Sequence, residues 1–153
     1  YEFMMGLIEY VHEKSIFEIL ELPDVKERVD LYLEHKERFI DQIKRCSKVE
    51  KKIVILDLRE EEIIFCGNRF IIYALFPECN ISIHIYKGRR GKGTMFAVGK
   101  SIFDRSSNTN IGSLMLNFGG GGHIAAGTCQ VENLKYEIVK TELIKNINRD
   151  EEV

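Results

Sequence analysis

Apolar positions recur at helical spacing through the first third of the chain. Over Glu2 to Lys14, Phe3, Leu7, Ile8 and Val11 fall on one face, which predicts a helix. Ser15-x-x-Glu18 reads as a capping box opening another short turn. Pro23-Asp24 starts a longer helix, capped by Asp24 with Glu27 three residues on. Its stripe is Val25, Val29, Tyr32, Leu33, Phe39, Ile40 and Ile43, interrupted at Lys36, and the charged opposite face reads as solvated surface. Residues 1–50 are therefore expected to form a helical lead-in or connector, with part of that stripe exposed.

Beyond residue 50 the period shortens. Ile53 to Leu58 is a continuous β-branched run and predicts a strand, and Ile63 to Phe65 predicts another after the acidic turn Glu60-Glu61-Glu62. Asn68 is placed to cap a short buried helix through Phe70 to Phe76, ended by Pro77. Ile81 to Tyr86 alternates, with Ile81, Ile83 and Ile85 on one side and Ser82, His84 and Tyr86 on the other. Lys87 to Gly93 then reads as a hairpin loop, with Thr94 to Gly99 as the returning strand. Asn108 or Asn110 caps a two-turn helix carrying Ile111, Leu114, Met115 and Phe118, and Gly119 follows where a left-handed residue commonly ends a helix. Thr128 to Val131 predicts a further strand, and Leu134 to about Asn148 a terminal helix buried through Tyr136, Val139, Leu143 and Ile147. The fold class expected for residues 51–153 is α/β, a mixed sheet of about five strands with flanking helices.

Composition narrows the function classes. With 153 residues, 44% hydrophobic and 30% charged, the chain suffices for one globular domain plus the lead-in. A net charge of −2 gives no global attraction to nucleic acid or anionic membrane, so an anionic ligand needs a local basic pocket. Lys87, Arg89, Arg90 and Lys92 form the densest basic patch, read first as a solvated hairpin tip and second as a guide for a polyanion. Cys46, Cys66, Cys79 and Cys129 lack zinc-ligand spacing and read as free, mostly buried thiols of a reducing compartment. No run of 18 apolar residues is present, and a cytoplasmic location is expected. Phe96 and Phe103 read as core aromatics before they read as stacking surfaces for a base. Asp57, alone at a strand end, reads as structural.

The chemistry concentrates in Phe118 to Cys129, FGGGGHIAAGTC. Gly119, Gly120, Gly121 and Gly122 can bring several backbone N–H groups to an anion, and His123 directly after them is placed as a directional donor. The bland alternative is a helix stop at Gly119 followed by a flexible connection. Gly120-x-Gly122-x-x-Ala125 follows a helix and not a strand, so it is no dinucleotide fingerprint. Gly88 to Thr94 lacks the order of a P-loop.

Asn68-Arg69-Phe70, Tyr73 to Pro77, Asn80-Ile81-Ser82, Gly99-Lys100-Ser101, Asp104-Arg105-Ser106 and Gly119 to Cys129 together resemble the DHH-associated C-terminal domain, over roughly Ile53 to Val131. This version is most similar to the exopolyphosphatase-related branch. The resemblance implies the substrate-binding half of a metal-dependent phosphoesterase acting on polyphosphate or on short oligonucleotide or nucleotide phosphoesters. It places the phosphate on Gly119 to Gly122, His123 and Arg105, with Lys100, Ser101 and Ser106 as weaker candidates. Arg69 matches the motif without a chemical assignment. The planar fork of Arg105 independently suits bidentate phosphate capture.

The family's catalytic half supplies an Asp-His-His and further acids that hold manganese or magnesium. This chain has no Asp-His-His and no Asp-x-Asp, and its aspartates are scattered singly. No catalytic residue and no metal ligand is assigned here, and the chain alone is expected to be inactive. It opens on Tyr1, which leads us to expect a piece of a longer protein with the catalytic DHH domain upstream as its partner. A stand-alone, noncatalytic nucleic-acid or nucleotide-binding module is the other class these residues fit, and a structural association domain is the third. Substrate identity and oligomeric state are left open by the sequence.

Overall fold

The computed structural model describes residues 1–88 and 91–152. Arg89 and Arg90, half of the predicted basic patch, lie outside them. The chain divides into two units, Tyr1–Ile40 with Phe65–Gly67, and Asp41–Ile64 with Asn68–Val153.

The first unit holds α1 (Glu2–Glu13), α2 (Ile16–Leu20) and most of α3, which runs Pro23–Cys46. The capping box forms: Glu18 N–H donates to Ser15 Oγ (3.3 Å), and Ser15 N–H donates to the Glu18 carboxylate (2.8 Å). Asp24 is not the cap of α3. Pro23, whose fixed φ suits the first helical position, already belongs to the helix, and the Leu22 carbonyl accepts from Lys26 N–H (2.8 Å). Asp24 lies in the first turn, where its charge still complements the helix dipole. α1 buries no residue, and Leu31, Tyr32 and Leu33 of α3 are exposed.

The second unit is α/β, with a six-stranded mixed sheet in the order β1-β2-β3-β4-β6-β5. Its strands are β1 (Ser47–Glu50), β2 (Ile53–Asp57), β3 (Ile81–Lys87), β4 (Thr94–Lys100), β5 (Gly121–His123) and β6 (Ala126–Val131). Its helices are α4 (Ile71–Leu75), α5 (Ile111–Leu116) and α6 (Tyr136–Glu151). β2 and β3 pair in parallel, joined by the crossover through α4, and every other pair is antiparallel.

Several sequence expectations are corrected. β1, inside the predicted lead-in, is a strand because the turn at Lys51 (φ 53°) folds Ser47–Glu50 back on β2. Ile63 to Phe65 is not a strand; with no partner ladder it stays irregular, and the Ile63 carbonyl accepts from Gln42 Nε2 (2.7 Å). Asn68 does not cap α4. It makes an Asx turn to Phe70 N–H (3.0 Å), and Phe70 holds the cap position without a side-chain bond. Of the cysteines, Cys79 and Cys129 are buried, whereas Cys66 is exposed.

One sheet face carries the main core: Ile81, Ile83, Ile85, Phe96, Val98 and Cys129 with Ile111, Leu114 and Met115 of α5 and Tyr136, Val139, Leu143 and Ile147 of α6. Each fully buried side chain of this size contributes about 1.5–3 kcal/mol through water release. At the end of β2 the Asp57 carboxylate pairs with Arg59 (2.8 Å) and accepts from the Tyr136 hydroxyl (3.0 Å), while the Arg59 guanidinium lies 3.3 Å from the Tyr136 ring centroid. Burial pushes the Asp57 carboxyl up, but the bonds from Arg59 and Tyr136 outweigh it and leave the pKa below the usual carboxylate value. This ties the sheet to α6 and gives Asp57 the structural place expected of it.

Candidate functional site

The glycine run is built by the end of α5. Asn110 caps that helix, its side-chain oxygen accepting from Ser113 N–H (3.1 Å). At the other end, Gly120 N–H donates to the Met115 carbonyl (3.0 Å) and Gly119 N–H to that of Leu116 (3.1 Å), with Gly119 at φ 72°. That is a Schellman stop with glycine at its left-handed position. The remaining glycines are ordered as well. Gly121–His123 forms β5 and turns through Ile124-Ala125 into β6, with Gly121 opposite Thr128 and His123 opposite Ala126.

Three of the four glycines have a structural reason. Gly119 needs its positive φ; a Cβ on Gly120 would strike the Thr128 carbonyl and Cys129, and one on Gly122 would strike Ala126 and Gly127. Gly121 differs, because a Cβ there meets nothing within 4 Å and its φ is not positive. Space therefore opens in front of Gly121 on the sheet face opposite the main core.

The strand register shows what shares that face. His123 opposes Ala126, which opposes Gly99, which opposes Ser82; Gly121 leads likewise through Thr128 and Ala97 to His84. His123 is exposed, and its Nδ1 accepts from Ala125 N–H (3.2 Å), which leaves Nε2 to carry the proton of the neutral ring as a free donor.

Residues 101–110 form the neighbouring loop, and backbone bonds tie both its ends to the turn beside His123. Lys100 N–H donates to the Ala125 carbonyl (2.9 Å) and Ile111 N–H to that of Ile124 (3.2 Å). Ser101 is buried, its Oγ accepting from Phe103 and Asp104 N–H (both 3.1 Å), and Lys100 Nζ donates to the Ser107 carbonyl (3.0 Å). Asp104 accepts from Ser106 N–H (2.9 Å), and hydrogen bonds from Ser106 hold its carboxyl below the usual range. Arg105 is exposed and, among the described residues, its side chain makes a single long 3.5 Å contact to the Ile102 carbonyl, so its fork is available. Phe103, expected in the core, is instead 68% exposed on this loop, whereas Phe96 is fully buried.

Asn80 is the positioning residue that pattern alone does not single out. Fully buried before β3, it accepts from Ser101 N–H (2.7 Å) and donates through Nδ2 to Ser106 Oγ (3.1 Å) and Glu151 Oε2 (2.8 Å). The signal available was its place in the Asn80-Ile81-Ser82 motif. On the same sheet face the buried Tyr73 hydroxyl donates to the Gly99 carbonyl (2.9 Å) and bonds Ser82 Oγ (2.7 Å). Among the described residues no three His, Cys, Asp or Glu side chains come together to hold a metal, so this chain's donors do not fit the manganese or magnesium that the resemblance implies. Nor is any described helix long and apolar enough to cross a membrane.

The architecture has solved counterparts. The pGpG-specific phosphodiesterase PggH from Vibrio cholerae is 59% identical, with a TM-score of 0.85 over 98% of this chain and 51% of that one. An exopolyphosphatase-related protein from Bacteroides fragilis shares the fold at 17% identity and a TM-score of 0.58, over 80% of this chain and 38% of that one. In sequence, an A-adding tRNA nucleotidyltransferase from Aquifex aeolicus is 29% identical over 112 residues, 69% of this chain and 13% of that protein. No family model matches. The chain thus spans about half the length of PggH or less of these relatives. The likeness to PggH is consistent with the resemblance to the DHH-associated C-terminal domain, and the exopolyphosphatase-related protein shares the α/β fold.

Proposed function

We propose that this chain is the substrate-gripping part of a metal-dependent phosphodiesterase, and that its ligand is a short 5′-phosphorylated dinucleotide of the kind named for PggH. The observation that carries the reading is the pair Gly121 and His123: the one glycine of the run that the fold does not require opens onto the face where His123 offers Nε2. A phosphate there receives a charge-assisted or neutral donor from His123, with Arg105 on the adjoining loop as a bidentate partner. Ser106, Ser101 and Lys100 shape that loop, and Phe103 gives a base an exposed apolar face.

Binding on this half positions the scissile ester for metal-activated attack by residues of a longer chain, the usual use of remote contacts. Manganese or magnesium belongs to that other half in this reading. Titration calorimetry of pGpG into the 153-residue chain tests it. His123→Ala and Arg105→Ala are each expected to weaken binding by about 1.5–3 kcal/mol, the scale of a hydrogen bond to a charged group. Unchanged affinity in both variants removes the assignment.

A further inference from the structure

On the face shared with Gly121 and His123 stands a second group of polar side chains that the grip does not use. Arg69 precedes α4, and its guanidinium lies over the Phe70 ring at 4.8 Å from the centroid. No acid pairs with it among the described residues, and it lies one turn before Tyr73, whose hydroxyl bonds Ser82 Oγ and the Gly99 carbonyl and so seats α4 on this face. Its charge also acts on Tyr73, His84 and Tyr86. His84 Nδ1 and the Tyr86 hydroxyl are 3.2 Å apart on β3. Three strand steps, about 14 Å, separate His84 from Gly121. The floor between them is low: Ala97 and Thr128 lie on that row, Gly99 and Ala126 on the next. A single phosphate at the grip cannot span such a distance, whereas a dinucleotide laid across the floor can.

We infer that Arg69, on the sheet face that carries His84 and Tyr86, reads one base of a dinucleotide whose phosphate is held at Gly121 and His123, and that it favours guanine. The inference rests on the grip proposed above. Guanine presents O6 and N7 side by side, a pair that a planar guanidinium meets with two parallel bonds, whereas adenine replaces O6 by an amino donor. The Phe70 ring lies under the guanidinium as a cation–π partner, and a lysine ammonium keeps the charge without the fork. Burial first, and then the Arg69 charge, keep the His84 imidazole neutral at physiological pH, so Nε2 is an acceptor for an amino or imino group in the tautomer whose Nδ1–H donates to the Tyr86 hydroxyl.

Calorimetry of the 153-residue chain with pGpG and with pApA tests this. The wild type is expected to prefer pGpG by about fivefold to a hundredfold, the range of one good bidentate base contact. Arg69→Lys and Arg69→Ala should abolish the preference, leave pApA affinity in place and leave the melting temperature unchanged. Equal loss of both dinucleotides in Arg69→Ala would make Arg69 a phosphate contact and overturn the inference. Dinucleotide binding with no wild-type preference, or a preference that survives Arg69→Ala, overturns it while the grip stands. Failure of both dinucleotides to bind the wild type overturns the grip and this inference with it.

Discussion

His84 illustrates how one residue's surroundings set its chemistry. Burial, and then the nearby Arg69 charge, lower its pKa from the ordinary value of 6.5 to about 4. Above pH 6.5 the ring is neutral in both folded and unfolded chains. As pH falls below that, the unfolded chain takes up a proton that the folded one refuses, so stability declines from pH 6.5 down to about 4, by up to about 3 kcal/mol. Urea unfolding at pH 7.5 and 4.5 measures the difference, and stopping at 4.5 stays above the titration of Asp57, whose pKa is lowered. His84→Gln should flatten the decline; parallel curves for variant and wild type would mean that His84 is not its source. The alternation of Ile81 to Tyr86 was enough to put His84 on the face away from the isoleucines. The reach of the Arg69 charge to it was not legible, because α4 and the turn after it set the approach of residue 69 to β3 through the tertiary fold.

At the scale of elements, α5, β5 and β6 form one junction in which backbone approaches side chain and backbone too closely for a Cβ. Gly120 and Gly122 abut β6, and a Cβ on Gly112 of α5 would lie 2.8 Å from the Gly122 carbonyl. Gly120→Ala and Gly122→Ala should therefore each lose about 1–3 kcal/mol of unfolding free energy. Gly121→Ala adds a methyl where nothing stands and is expected to keep or slightly raise stability, by up to about 1 kcal/mol, because alanine has fewer unfolded conformations. It should nonetheless weaken pGpG binding, since the methyl occupies the space assigned to phosphate. Chemical denaturation of the three variants beside calorimetry separates the roles, and a Gly121→Ala chain that binds like wild type would return the whole run to a structural purpose. Gly119 as a helix stop was readable from the i, i+3, i+4, i+7 pattern ahead of it, as was the buried face of α6. β5 was not, because a strand of Gly-Gly-His has no apolar alternation and exists only through its ladder with β6. The converse failure is Ile63 to Phe65, apolar enough for a strand but without a partner ladder.

For the whole molecule, local and global charge pull apart. The net charge is −2, yet the proposed ligand is an anion, so binding must come from a few directed groups on one sheet face and not from a basic field. Hydrolysis asks for more than these groups supply. In the function proposed above, attack on phosphorus uses metal ions held by clustered acids and histidines, and the described residues offer no such cluster. PggH, 59% identical, is about twice as long as the stretch it shares with this chain, which leaves ample sequence for that chemistry in a full-length relative. The 153-residue chain is therefore expected to bind pGpG and to release no GMP from it above background, with or without manganese. Chromatographic assay of the nucleotide products over hours, beside calorimetry on the same preparation, measures both halves of this expectation. Manganese-dependent turnover by the chain alone would overturn the division of labour, because it would require metal ligands on the residues seen here. Binding without turnover, followed by hydrolysis once the chain is extended to the length of PggH, would assign the chemistry to the added residues and the grip to these.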